Sequence, residues 1–139
     1  MIIIAAVDDR YGMMFNKRRV SQDSAVREHL IKLCDGSKLW MNLYSLKQFS
    51  YINAEHFALE VAEDFLERAG NGEFCFVENC SVLPYVDKIE KVILYKWNRN
   101  YPADVFFDLP LSENSWKCNV IEEFVGTSHE KITVEEWKR

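Results

Sequence analysis

A chain of 139 residues suits one hydrophobic interior, since domains commonly organise roughly 100 to 150 residues, and nothing linker-like divides it, so residues 1–139 are expected to form a single domain. The composition, 48% hydrophobic and 14% aromatic, excludes disorder, and a net charge of −5 excludes a broad nucleic-acid-binding face. No stretch reaches the ~18 apolar residues of a membrane span, and the Met1–Val7 run lacks the basic leader of a signal peptide. A cytoplasmic protein with no membrane or nucleic-acid partner is expected.

Met1 to Val7 is a continuous apolar run, the pattern of a strand covered on both faces in a partly parallel sheet. A polar turn follows through Asp8 to Tyr11. Ser21 or Asp23 is placed to cap a helix whose apolar positions Val26, Leu30 and Leu33 share one face and which ends near Asp35-Gly36. Lys38 to Met41 reads as a second strand, with a helical turn from Ser45. Phe57, Val61 and Phe65, spaced by four, predict the longest helix over 53–69, stopped by Gly70-Asn-Gly72. Glu73 to Val77 and Lys91 to Trp97 read as strands on either side of a turn at Pro84. Residues 116–124 and 130–138 read as a hairpin joined through Gly126 to His129. Strands and helices that alternate, then give way to consecutive strands, predict an α/β fold: a mixed, mostly parallel central sheet flanked by helices, with an antiparallel C-terminal hairpin. Neighbouring strands in such a sheet bury their side chains, and Ile3, Phe76, Val92 and Leu94 are expected to lie buried together.

Few residues suggest chemistry by type alone. Lys17, Arg18 and Arg19 form the tightest cationic cluster, open between a solvated turn and a phosphate-binding loop. Cys34, Cys75, Cys80 and Cys118 fit no zinc framework and read mostly as packed thiols. His29, His56 and His129 stand singly, so no metal site is expected, and a paired-metal nuclease, which needs clustered His and Asp, is disfavoured. Tyr44, Tyr51, Tyr85, Trp97, Tyr101 and Trp137 are core and edge packing or, if exposed, a patch for a partner or a second copy.

Taken together, these segments resemble the dihydrofolate reductase family. Ile3 to Asn16 looks like its first strand and the active-site loop after it. Lys91 to Trp97 looks like its penultimate central strand, Ala103-Asp-Val-Phe-Phe107 resembles its Gly-Asp-x-x-Phe signature, and Trp116 with Ser128-His129 through Arg139 is similar to its closing hairpin. Gly36 to Ser45 sits where the family has Met-Gly-Arg-x-Thr, and Phe76-Val-Glu-Asn79 where it has a glycine pair. About twenty residues around Phe49 to Ala58, the usual strand and helix beside the adenine end of the cofactor, look missing.

The family reduces a dihydropteridine with NADPH, the cofactor supplying the hydride and the protein binding, orienting and protonating. The resemblance implies that Asp23 is the substrate acid, able to accept two parallel hydrogen bonds from an aminopyrimidine edge; the same residue also reads as a helix N-cap. It further implies that Ala6, Val77 and Tyr95 bind substrate beside Asp23, and that Asn42, Leu43, Ser45, Glu78 and Asn79 occupy the cofactor positions. There Glu78-Asn79 replaces the glycines and sets an anion, with no evident counter-charge, near a pyrophosphate. Leu43 stands where an Arg would pair with the 2′-phosphate, Asn42 replaces a Gly, and Ser45 keeps a hydroxyl at a helix start. Loop closure is in doubt around Arg18-Arg19. The expectation is a divergent dihydrofolate reductase-like protein with a degraded NADPH pocket, non-catalytic or binding an altered small molecule. The alternatives are an active NADPH-dependent reductase of a pteridine and a protein-interaction module that can form homo-oligomers.

Overall fold

The computed structural model describes residues 1–49, 58–113 and 115–139. In chain order they form β1 (Ile2–Val7), β2 (Gly12–Phe15), β3 (Arg18–Arg19), α1 (Ser24–Leu33), β4 (Lys38–Met41), α2 (Leu43–Phe49), β5 (Ala58–Val61), α3 (Phe65–Arg68), β6 (Phe74–Phe76), a 3₁₀ turn (Leu83–Lys88), β7 (Lys91–Lys96), β8 (Val105–Phe106), β9 (Lys117–Phe124) and β10 (Ile132–Lys138). Seven strands make the main sheet in the order β5-β4-β6-β1-β7-β10-β9. β1 lies at its centre, parallel to β6 and β7, while β10 runs antiparallel to β7 and to β9. The mixed sheet with an antiparallel C-terminal pair is thus present, and the uninterrupted apolar run of β1 follows from having a covered face on each side.

Alternation along each strand divides the interior into two layers. Ile3, Ala5 and Val7 pack with Cys75, Val77, Val92 and Leu94 on one face, under α3 and the 82–89 and 107–111 segments. Ile2 and Ile4 pack with Phe76, Ile93, Tyr95 and Trp97 on the other, under Val26 and Leu30 of α1 and Phe49 of α2. Each large side chain so enclosed contributes about 1.5–3 kcal/mol relative to exposure. Ile3, Phe76, Val92 and Leu94 are all buried, but Phe76 belongs to the opposite layer from the other three, since one step along a strand reverses the face. The thiols of Cys34 and Cys75 pack in these layers as well, and burial pushes both up to about 12.

One expectation from sequence is corrected and one feature is added. The long helix over 53–69 is replaced, within its described part, by β5 and the single turn α3. Ala58, Leu59 and Glu60 are good helix formers, yet the backbone of 58–61 pairs in parallel with Lys38 to Met41, and hydrogen bonds to a ready sheet edge override local preference. Phe57 and most of the segment thought to be shortened lie outside the described residues, while β5 and α3 supply a strand and a brief helix beyond β4. A second, three-stranded sheet in the order β3-β2-β8 was unforeseen. Its β2–β3 turn places Asn16 and Lys17 at φ 50° and 64°, a two-residue left-handed connection that matches strand twist and carries Arg19 back toward the main sheet.

Candidate functional site

β1, β4, β6 and β7 run parallel, so the residues that follow them gather at one edge: Asp8, Asn42, Val77 to Glu78, and Trp97. Ligand sites of α/β sheets form outside this carboxyl edge. Of the three buried carboxylates among its described residues, Asp8 accepts from the backbone N–H groups of Arg10, Gly12 and Tyr101, and the other two gather side chains around them.

The first is Glu78. Arg19 grips it with two hydrogen bonds, Nε to Oε2 at 2.8 Å and a terminal nitrogen to Oε1 at 3.2 Å. The Ser45 hydroxyl donates to Oε1 at 2.8 Å and the Gln48 amide to Oε2 at 2.9 Å. The Arg19 guanidinium also lies over the Tyr44 ring, 4.7 Å from its centroid, and the Arg19 backbone N–H donates to the Tyr44 hydroxyl at 2.9 Å. Burial opposes the Arg19 charge, but hydrogen bonding to Glu78 and attraction from it hold the guanidinium above its ordinary value. The counter-charge that the sequence did not reveal is therefore Arg19, and the loop in doubt at Arg18-Arg19 is fastened by it. Asn42 donates to the Asn79 side chain at 2.9 Å and accepts from the Ser45 N–H at 3.1 Å. Of the five expected cofactor positions, Asn42, Ser45, Glu78 and Asn79 are thus joined to one another, directly or through one step. Leu43 stands apart, 59% exposed.

Asp23 is the second carboxylate, at the N-cap of α1, where it accepts from the Ala25 N–H at 2.9 Å. The same oxygen accepts from the Thr127 N–H and hydroxyl, at 2.9 and 2.8 Å. Its other oxygen accepts from the Ser128 N–H at 2.9 Å, the Ser128 hydroxyl at 3.2 Å and His129 Nδ1 at 2.8 Å. Its side chain has no exposure, and these donors fill the four or so lone-pair positions of a carboxylate. Asp23 does lie near the end of the central strands, through Trp97, whose ring stacks on His129 at 4.5 Å. It presents no free edge to an aminopyrimidine, however, and acts as the cap that the sequence also allowed. Burial works against its ionisation, but His129, the Ser128 and Thr127 N–H groups and the Thr127 hydroxyl hold it well below the ordinary carboxylate range. Gly126 makes this approach possible, because a Cβ there would collide with the Asp23 carboxylate. His129 Nε2, in turn, meets the Ser21 hydroxyl at 2.8 Å and the Tyr101 hydroxyl at 3.2 Å.

The other expected substrate residues are not assembled with it. Val77 and Tyr95 are wholly buried in opposite layers of the sheet, and Ala6, paired with Tyr95, is half-buried on the Tyr95 side. The Tyr95 hydroxyl bonds His29 Nδ1 at 2.7 Å, and His29 Nε2 reaches Glu122 at 3.1 Å. Burial first, then the nearby Cys34 and Glu122, raise the Tyr95 phenol above its ordinary value. Open space lies instead along the small sheet. A cavity of about 520 Å³ is lined by residues that include Asp8, Arg10, Phe15, Tyr101, Pro102 and Phe106; a second of about 410 Å³, sharing Phe15, Tyr101 and Pro102, extends to Arg18, Arg19 and Val20. Sequence reasoning missed Tyr101 and His129 as site residues, because their partners lie 80 and 108 positions away and carry no shared motif. Among the described residues no cluster is placed to hold a metal ion.

The chain matches no family model and no curated protein. Among solved structures it is similar to dihydrofolate reductase from Enterococcus faecalis complexed with NADP(H) and RAB-propyl, with a TM-score of 0.65 and 12% identity over 100% of this chain and 96% of that chain. At that identity the likeness is one of fold: the chain has a dihydrofolate reductase-like α/β architecture.

Proposed function

We propose that residues 1–139 act as one domain, a dihydrofolate reductase-like scaffold that has given up NADPH and binds a different small molecule in the groove around Phe15, Tyr101 and Pro102. The observation that carries this reading is the Arg19–Glu78 pair. Arg19, Ser45 and Gln48 are the donor types that a phosphate would use, and all three converge on an internal carboxylate. An incoming anion must displace Glu78, which would then face it as like charge. Leu43 supplies no ion pair for a 2′-phosphate, and Glu78-Asn79 carries side chains where bare backbone would let a pyrophosphate approach. The groove has the complementary character: exposed Phe15 and Phe106 offer apolar surface, and Arg10 and Arg18 offer charge.

One observation favours the active-reductase reading. Asp104 accepts from the Asn16 N–H at 3.0 Å and its own N–H donates to Met14 at 2.8 Å, so the signature that resembles the family's still holds the loop beside the sheet. Tryptophan quenching by NADPH separates the two readings. The native protein is expected to show no binding at micromolar cofactor, and Glu78→Gly with Asn79→Gly is expected to gain affinity by releasing Arg19. Micromolar binding by the native protein, with turnover of dihydrofolate, overturns the proposal. The interaction-module reading has less support, since Tyr44, Tyr85, Tyr101 and Trp137 are half-buried and Trp97 is buried; Tyr51 lies outside the described residues.

A further inference from the structure

We propose that Ser21, His129 and Asp23 form a nucleophilic relay that hydrolyses small carboxylic esters bearing an aromatic or anionic group. The hydrogen bonds run in one line: Ser21 Oγ to His129 Nε2 at 2.8 Å, and His129 Nδ1 to Asp23 Oδ2 at 2.8 Å. An ionised carboxylate only accepts, so Nδ1 donates to Asp23, and in the tautomer this selects Nε2 presents its lone pair to the Ser21 hydroxyl. This is the polarity a general base needs to activate a serine. The ring cannot turn away from it. Asp23 is itself fixed by the Thr127 and Ser128 N–H groups, and Trp97 stacks on the imidazole with an interplanar angle of 24°.

Access and a place for developing charge are present too. Asp23 and His129 are buried, whereas Ser21 is partly exposed and follows Val20, which lines the 410 Å³ groove. The Tyr101 hydroxyl, from the same groove, stands 3.4 Å from Ser21 Oγ and 3.2 Å from His129 Nε2, beside the point where a carbonyl oxygen would gain charge. Phe15 and Pro102 suit an aromatic or apolar group, and Arg18 suits an anionic one.

In the acylation step, Ser21 Oγ bonds to the ester carbonyl carbon as its proton passes to Nε2, and the Tyr101 hydroxyl donates to the resulting oxyanion. Collapse breaks the bond to the alcohol oxygen, which leaves with the proton from Nε2. Water then attacks the acyl-serine and gives a proton to Nε2. The second collapse returns that proton to Ser21 Oγ and releases the carboxylic acid, so ester and water become acid and alcohol. Ser21 and His129 are the catalytic residues; Asp23 is a positioning residue.

The inference rests on the groove being the ligand site, and its test is independent of NADPH. A fluorophosphonate probe, whose fluoride is displaced by an activated serine, is incubated with the full chain and the adduct located by peptide mass. One adduct on Ser21 is expected, absent from Ser21→Ala, together with hydrolysis of 4-nitrophenyl esters that falls at least tenfold in Ser21→Ala at an unchanged far-UV circular dichroism spectrum. Tyr101→Phe and Asp23→Asn should each lower kcat with KM held. No adduct on Ser21, or ester hydrolysis equal in native protein and Ser21→Ala, overturns the relay and leaves a structural tie. Failure of NADPH exclusion with Ser21 labelled would overturn only the preceding proposal.

Discussion

Glu78 and Asp23 are both buried acids at the same edge of the sheet, and both have oxygens crowded with donors, yet they close in different ways. Glu78 ends on a guanidinium, a group that gives protons to hydrogen bonds and takes none. Its charge is neutralised there, and the branches that leave through Gln48 and Ser45 reach further donors and amides, Arg27, Asn42 and Asn79. Asp23 ends on an imidazole, which can accept on one nitrogen while it donates from the other, so its network continues to Ser21 and Tyr101 at the groove. What distinguishes an inert buried acid from a working one here is the partner at the far end of the hydrogen-bond chain. Both are buried and well supplied with donors, Asp23 the more so.

The largest test of this contrast is Asp23→Ala. It removes a cap and leaves the Thr127 and Ser128 N–H groups and His129 without their acceptor, so the loss should be about 3–5 kcal/mol, the scale for breaking a buried pair, as read by urea unfolding. Acid titration sharpens it. The folded-state value of Asp23 is depressed from an ordinary 3.8, so its contribution is fully present above that value and fades as pH falls through the lower folded value. The native protein and Asp23→Ala should accordingly converge in stability only in strong acid, and a gap that closes already near pH 5 would break the account.

Next comes Glu78→Gln, expected to cost about 2 kcal/mol because the half-buried Arg19 can still find water on one side. A double-mutant cycle with Arg19→Met should recover a coupling of about 1–3 kcal/mol; zero coupling would mean that the pair does not hold the loop. Gly126→Ala should cost about 1–3 kcal/mol by forcing a Cβ against Asp23. Leu43→Arg should be the smallest, within about 0.5 kcal/mol for so exposed a position. In calorimetry it should fail to create NADPH binding while Glu78 still holds Arg19.

The sequence made the sheet legible where burial leaves a plain trace. The apolar run of β1 and the matched β6 and β7 read correctly because covered strands admit few polar residues, while the hairpin, whose β9 is largely exposed, was legible from its turn around Gly126. β5 was hidden, since Ala58, Leu59 and Glu60 favour a helix and Phe57, Val61 and Phe65 share helical spacing, so the strand shows only once β4 offers its edge. The site was less legible still. Glu78 was visible as a misplaced anion, but its partner Arg19 lies 59 positions earlier in what read as a solvated turn. Asp23 was legible as a cap from its position before the helix, whereas its bond to His129, 106 positions on, leaves no periodic signal.

The tie between Asp23 and the turn at 127–129 also orders events in time. Synthesis delivers the α1 cap first, and roughly a hundred residues must follow before Thr127, Ser128 and His129 leave the ribosome to meet it, at the 5–20 residues per second typical of translation. Through that interval the Asp23 carboxylate has only the local Ala25 N–H and water, and over its last part, between Lys96 and Ile132, β7 lacks its β10 neighbour. Contacts of such long range slow folding, so the nascent chain carries an open apolar sheet edge for roughly 2–7 seconds at that rate, and the arrival of one hairpin fastens the last strand and the first helix together.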